Sequence, residues 1–126
     1  MKIVNIILRV ALGGLLVVFG LNKFLGFMPD FEFGTYLGAK NFFDSLTATG
    51  YMWPLVGGLE ITVGVLLIIK KAMPAALLAL LPISINIVLF HAVLDPPHIG
   101  PALAVALLNA YFIYINRTYY KPLIKA

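Results

Sequence analysis

The chain has no cysteine and very little charge: of its 126 residues 11% are Asp, Glu, Lys or Arg, and five are acidic. The missing cysteine removes disulfides, thiolate nucleophiles and cysteine-held metal clusters from the available chemistry. The shortage of charge excludes more, because a chain that is 62% hydrophobic has too little polar surface to cover a water-soluble globule. Two histidines, His91 and His98, stand on either side of Pro96-Pro97 at a spacing unlike a metal site or a pair of haem ligands, so no metal is expected. No phosphate-cradling glycine loop and no Ser/His/Asp grouping is present. The net charge of +4 comes from cations scattered at the ends of apolar runs rather than interleaved with aromatics on one face, which argues against a nucleic-acid partner.

What is present is apolar length. A hydrocarbon core of ~30 Å takes about 20 helical residues to cross, and four runs reach that length: Ile3 to Phe24, Met52 to Ile69, Met73 to Leu94 and Ile99 to Asn116. The expected architecture is all-α, an integral membrane four-helix bundle forming a single domain over 1–126. Met1 to Phe19 resembles a signal peptide, with Lys2 ahead of an apolar region, but the run continues to Leu25 without a small-residue cleavage site and reads as a retained first helix. Lys70-Lys71 with Pro74, and Asp95-Pro96-Pro97, mark the turns on either side of the third span. Four spans return both termini to one side. Lys2, Arg9, Lys70, Lys71, Arg117, Lys121 and Lys125 then share that side, against Lys23 and Lys40 on the other, where Asp30, Glu32, Asp44 and Asp95 also fall. The positive-inside rule makes the terminal side cytoplasmic. A bacterial inner membrane is the expected location.

The long connection from Phe27 to Tyr51 lies on the opposite, outer side and carries Phe27, Phe31, Phe33, Tyr36, Phe42, Phe43 and Tyr51. Within it Ala39, Phe42, Phe43 and Leu46 repeat at i, i+3, i+4, i+7, the pattern of a short interfacial helix. Two roles fit it: an aromatic belt that anchors the bundle, as Trp53 and Tyr119-Tyr120 would, or a lid over an outward-opening pocket.

Glu60 organises the rest. It is a carboxylate in the middle of a membrane-length apolar run, and an ionisable group at that depth is a functional-site candidate. At 100° per residue Gly57, Glu60 and Gly64 share one face, and Arg9, Gly13, Gly20 and Lys23 share a narrow face of the first span. Small residues let backbones approach, so these two faces are natural partners, with Arg9, Gly13, Gly20, Gly57 and Gly64 as structural positions. Counting a rise of 1.5 Å per residue, Glu60 lies ~12 to 14 Å below the outer surface, and Asn86 and Asn109 fall at about the same depth. His91 and Lys23 come above them. Lys23, Glu60, Asn86, His91 and Asn109 are therefore the candidate ligand-binding set, with Glu60 and His91 as the groups able to handle a proton. Bland readings stand beside it: Asn109 as a hydrogen bond between helices, His91 as a local partner of Asp95 at i+4, and Ala102, Ala106 and Ala110 as a face equally suited to a homodimer and to the internal bundle. Asn86 and His91 are ~140° apart around the third span and cannot both point at one centre, with Pro82 able to bend that helix. Lys23 is the nearest cation to Glu60. A protonated Glu60 could donate a hydrogen bond to a carbonyl such as a quinone oxygen; an ionised one could bind a cation or accept a substrate proton.

Arg9-x-x-x-Gly13 followed by Gly20-x-x-Lys23, then Gly57-x-x-Glu60-x-x-x-Gly64, then Asn86 to Phe90-His91 and Asp95-Pro96 resemble the DoxX family of small four-helix membrane proteins along essentially the whole chain. The resemblance marks Arg9, Gly20, Lys23 and Glu60 as family positions. It implies a membrane subunit working with a partner redox protein, membrane-bound or soluble, with quinone as the associated cofactor, since one related protein is a subunit of a thiosulfate:quinone oxidoreductase. It equally admits a non-catalytic assembly factor or scaffold, since other relatives are tied to oxidative-stress membrane complexes, to methylamine dehydrogenase maturation or to receptor assembly.

Overall fold

The computed structural model describes residues 2–27 and 37–124. Asp30, Phe31, Glu32, Phe33, Tyr36 and Lys125, used above, lie outside the described residues. Four helices are long and apolar enough to cross a membrane: α1 (Lys2–Leu25), α3 (Met52–Ile69), α4 (Met73–Leu94) and α5 (Ile99–Ile115), while α2 (Leu37–Ala48) is the short amphipathic helix expected before α3. The expected spans agree with these to within a residue at each end, because uninterrupted apolar length sets them and backbone groups in hydrocarbon must bond within their own segment.

Local chemistry places the ends. Between α3 and α4, Lys70 (φ 57°) closes α3 in a left-handed conformation while the Lys71 N–H donates to the Leu66 carbonyl at 3.0 Å, a Schellman-like stop. Ala72 (φ 50°) is left-handed as well, and Pro74 stands in the first turn of α4, where its missing N–H is no loss. Between α4 and α5 a single 3-10 turn, Pro96–His98, reverses the chain. Helix α4 runs through Pro82 without a break.

Two helix pairs carry the bundle. Helix α1 lies antiparallel against α3, and α4 against α5. Leu12, Leu16, Leu67, Leu77, Leu80 and Phe112 fill the shared interior and are all but inaccessible. Outward-facing Ile, Leu and Val side chains remain on every long helix, as expected when the solvent is lipid. The start of α1, the α3–α4 turn and the end of α5 border one cavity, so both ends of the described chain lie at one end of the bundle, the terminal end.

At the opposite end α2 lies across the tops of α3 and α4. Ala39 is fully buried, Phe42 and Phe43 stack on Phe90 with centroids 5.1 and 5.3 Å apart, and Phe43 meets Trp53 at 4.9 Å. Trp53 donates its ring N–H to Thr47 Oγ1 at 2.9 Å. Aromatic pairs of this kind contribute about 0.5–1.5 kcal/mol each beyond the area they bury, which fixes α2 as a roof on this end.

Candidate functional site: the Lys23–Glu60 ion pair

The pair rests on a close helix contact. A Cβ added to Gly13 would stand 2.7 Å from the Gly64 carbonyl oxygen, and one added to Gly20 would stand 2.7 Å from that of Gly57. Seven residues up α1 thus match seven down α3, two turns on each helix, and only glycine admits the backbones at both levels.

Lys23 enters the membrane from the end of α1. A Cβ on Gly57 would lie 3.1 Å from Lys23 Cβ, so Lys23 is level with Gly57, and Glu60 is three residues, ~4.5 Å, deeper along α3. Cα–Cβ bonds tilt towards the N-terminus of their own helix. In antiparallel neighbours that tilt drives Lys23 inward and Glu60 outward, and the two meet with Nζ 2.6 Å from Oε1. The Lys23 side chain keeps 20% of its surface exposed while that of Glu60 keeps 3%. Oε1 is buried and has the Lys23 ammonium as its close partner. The contact is a short, charge-assisted ion pair between the two helices.

The other residues singled out from the sequence separate into different neighbourhoods. Asn109 is completely buried: its Nδ2 donates to the Leu77 carbonyl at 3.0 Å and its Oδ1 accepts from Ser84 Oγ at 2.8 Å. It joins α5 to α4, as its bland reading expected. Asn86 is on the exposed side of α4, two residues and ~200° from the buried Ser84, and does not face the ion pair. His91 is buried beside Asp95, Nδ1 lying 3.2 Å from Oδ2. His98, unassigned in the sequence reading, sets its Nδ1 2.9 Å from both oxygens of the fully buried Asp95. The i+3 spacing from Asp95 was its only signal. Both imidazoles turn Nδ1 towards the Asp95 carboxylate, and among the described residues no group of three or more His, Cys, Asp or Glu is placed to hold a metal ion.

Arg9 has a role that residue spacing does not reveal. Its Nη1 donates to the Leu67 carbonyl at 2.7 Å and to that of Ile68 at 3.2 Å. These belong to the last turn of α3, whose carbonyls have no partner within the helix, and a guanidinium there also opposes the negative end of the helix dipole. Thus α1 grips α3 at four levels: Arg9 at one end, two glycine contacts between, and Lys23 on Glu60 towards the other end.

Chemically, the pair offers a carboxyl group and an ammonium in contact inside an apolar wall, one of them reachable from the end of α1. Such a pair can exchange one proton with a polar atom that comes beside it, the ammonium stabilising whatever negative charge develops.

The DoxX family model matches residues 4–92, which covers α1 to all but the end of α4 and includes Arg9, both glycine contacts, Lys23 and Glu60. No curated protein and no solved structure matches the chain.

Proposed function

The chain belongs to the DoxX family, and from that premise we infer that it is a small membrane subunit of a quinone-linked redox complex, in which Glu60 and Lys23 serve a quinone-type carbonyl compound arriving from the lipid. In this reading a partner protein supplies two electrons. The carbonyl oxygens that become hydroxyls take up two protons, each taken by the Glu60 carboxylate from water at the exposed side of Lys23 and then passed to the compound. Lys23 remains an ammonium throughout and stabilises the carboxylate left after each transfer. The observation that carries the reading is the pair itself: a carboxylate with 3% of its side chain exposed, inside a membrane-length helix, in contact with an ammonium that keeps 20% exposed. Ionisable groups at that depth are costly and are functional-site candidates.

The experiment is mass spectrometry of small molecules that co-purify with the chain in mild detergent, beside Glu60→Gln and Lys23→Met. A quinone kept by the wild type and lost from both variants, at unchanged helicity by circular dichroism, is the expected result. Retention by all three would refute the site.

A second reading follows from a separate fact. The ion pair, the glycine contacts and Arg9 all join the same two helices, as they would in a non-catalytic scaffold or assembly factor whose polar groups only pin α1 to α3. Under that reading both variants melt early and no small molecule distinguishes them from the wild type.

A further inference from the structure

At the terminal end, away from the ion pair, a cavity of about 220 Å³ opens between the start of α1, the α3–α4 turn and the end of α5. Its rim carries Lys2, Arg9 and Lys70 together with the amide of Asn5, and its floor is apolar, formed by Met73 and Phe112, both buried. The described acids are Asp44, Glu60 and Asp95, and none is in its walls. Three cations therefore converge without a described carboxylate to balance them.

We propose that this cavity is a binding site for the phosphate headgroup of an anionic phospholipid. Depth favours a lipid. Helix α1 has 24 residues, ~36 Å of length against a hydrocarbon core of ~30 Å, so Lys2 stands at headgroup level while Arg9, seven residues on, is ~10 Å further in. A phosphate between Lys2 and Lys70 would have its glycerol and upper acyl chain against the apolar floor. Hydrogen bonding suits it as well. Arg9 uses Nη1 on the α3 carbonyls, and a guanidinium has five N–H donors, so others remain. The Tyr111 hydroxyl donates to Asn5 Oδ1 at 2.6 Å, which turns the Asn5 NH2 into the donor left for an acceptor oxygen. The exposed ends of α3 and α5 are negative and those of α1 and α4 positive, so the dipoles offset one another and the three cations set the sign. Basic pockets between spans are a recurrent arrangement for acidic headgroups.

The test is native mass spectrometry of the full chain released from micelles that hold phosphatidylglycerol and phosphatidylcholine with identical acyl chains. Lys2→Gln/Lys70→Gln is compared with Lys71→Gln/Lys121→Gln, which removes two cations from the same end but outside the cavity, and with the charge-keeping Lys2→Arg/Lys70→Arg. The wild type, the outside control and the arginine variant should each retain phosphatidylglycerol in preference to phosphatidylcholine, while the cavity variant loses about tenfold or more of that preference. Three results would overturn the proposal: no preference in the wild type, an equal loss in the outside control, or displacement of the lipid by millimolar inorganic phosphate. The last would assign the cavity to a soluble phosphate.

Discussion

Gly64 lies so close to Gly13 that a Cβ on Gly64 would stand 2.6 Å from the Gly13 carbonyl oxygen, a separation at which a backbone has to move. Gly64→Ala is therefore expected to destabilise the bundle by about 1–3 kcal/mol through overpacking. Gly14 and Gly58 are internal controls, since nothing lies within 4 Å of a Cβ at either, and alanine there should be neutral or stabilising by a few tenths of a kcal/mol. Thermal melting in detergent, followed by circular dichroism, measures all three; an unshifted Gly64→Ala would contradict the close approach.

Arg9→Gln should loosen the end of α3, because the Leu67 and Ile68 carbonyls lose their donor and the helix dipole loses its counter-charge, together about 0.5–2 kcal/mol. The effect is local. Amide hydrogen exchange should rise in the segment around Lys70 and Lys71 and stay unchanged in α5, and Arg9→Lys should restore part of the protection by restoring charge without the fork.

Asn109→Ala removes two buried hydrogen bonds between α5 and α4. Bonds between spans average about 0.6 kcal/mol, so a loss of roughly 1–2 kcal/mol is expected once the vacated space is included. Ser84→Ala should cost less, since Asn109 keeps its bond to Leu77. The double variant should be close to Asn109→Ala alone, because the two residues share one bond. Additive losses in unfolding measurements would show that they act separately.

Tyr120 ties the segment after α5 to the start of α4, its hydroxyl donating to the Pro74 carbonyl at 2.8 Å. Burial pushes this phenol above its ordinary value of 10.0. A raised value in the folded state means that the contribution is complete below the ordinary phenol value and is lost as pH rises through the raised one. The contact should thus be insensitive to pH across the neutral range. In an alkaline absorbance titration, the late part of the tyrosinate rise should disappear in Tyr120→Phe; an unchanged curve would refute the assignment.

Membrane class, the number and limits of the spans and the α1–α3 pairing can all be read from the residues alone, and each for a simple reason. Apolar length against bilayer thickness dictates spans, turn chemistry at Lys70-Lys71 and Asp95-Pro96-Pro97 dictates where they stop, and the seven-residue repeat of Gly13 and Gly20 against Gly57 and Gly64 marks a contact face whose polar ends are Arg9 and Lys23–Glu60. The amphipathic pattern of Ala39, Phe42, Phe43 and Leu46 likewise becomes α2.

The remaining relationships required the packed bundle. Helices α4 and α5 carry apolar residues around most of their circumference, so periodicity assigns them no inner face; in the bundle α4 turns Leu77, Leu80 and Ser84 inward, Ser84 onto Asn109, and Asn86 lies on the exposed side. Partners that are backbone carbonyls leave no trace in residue types. Leu67 for Arg9, Leu77 for Asn109 and Pro74 for Tyr120 come into reach only when the helices are side by side, because every peptide carries the same acceptor and position alone distinguishes one from another.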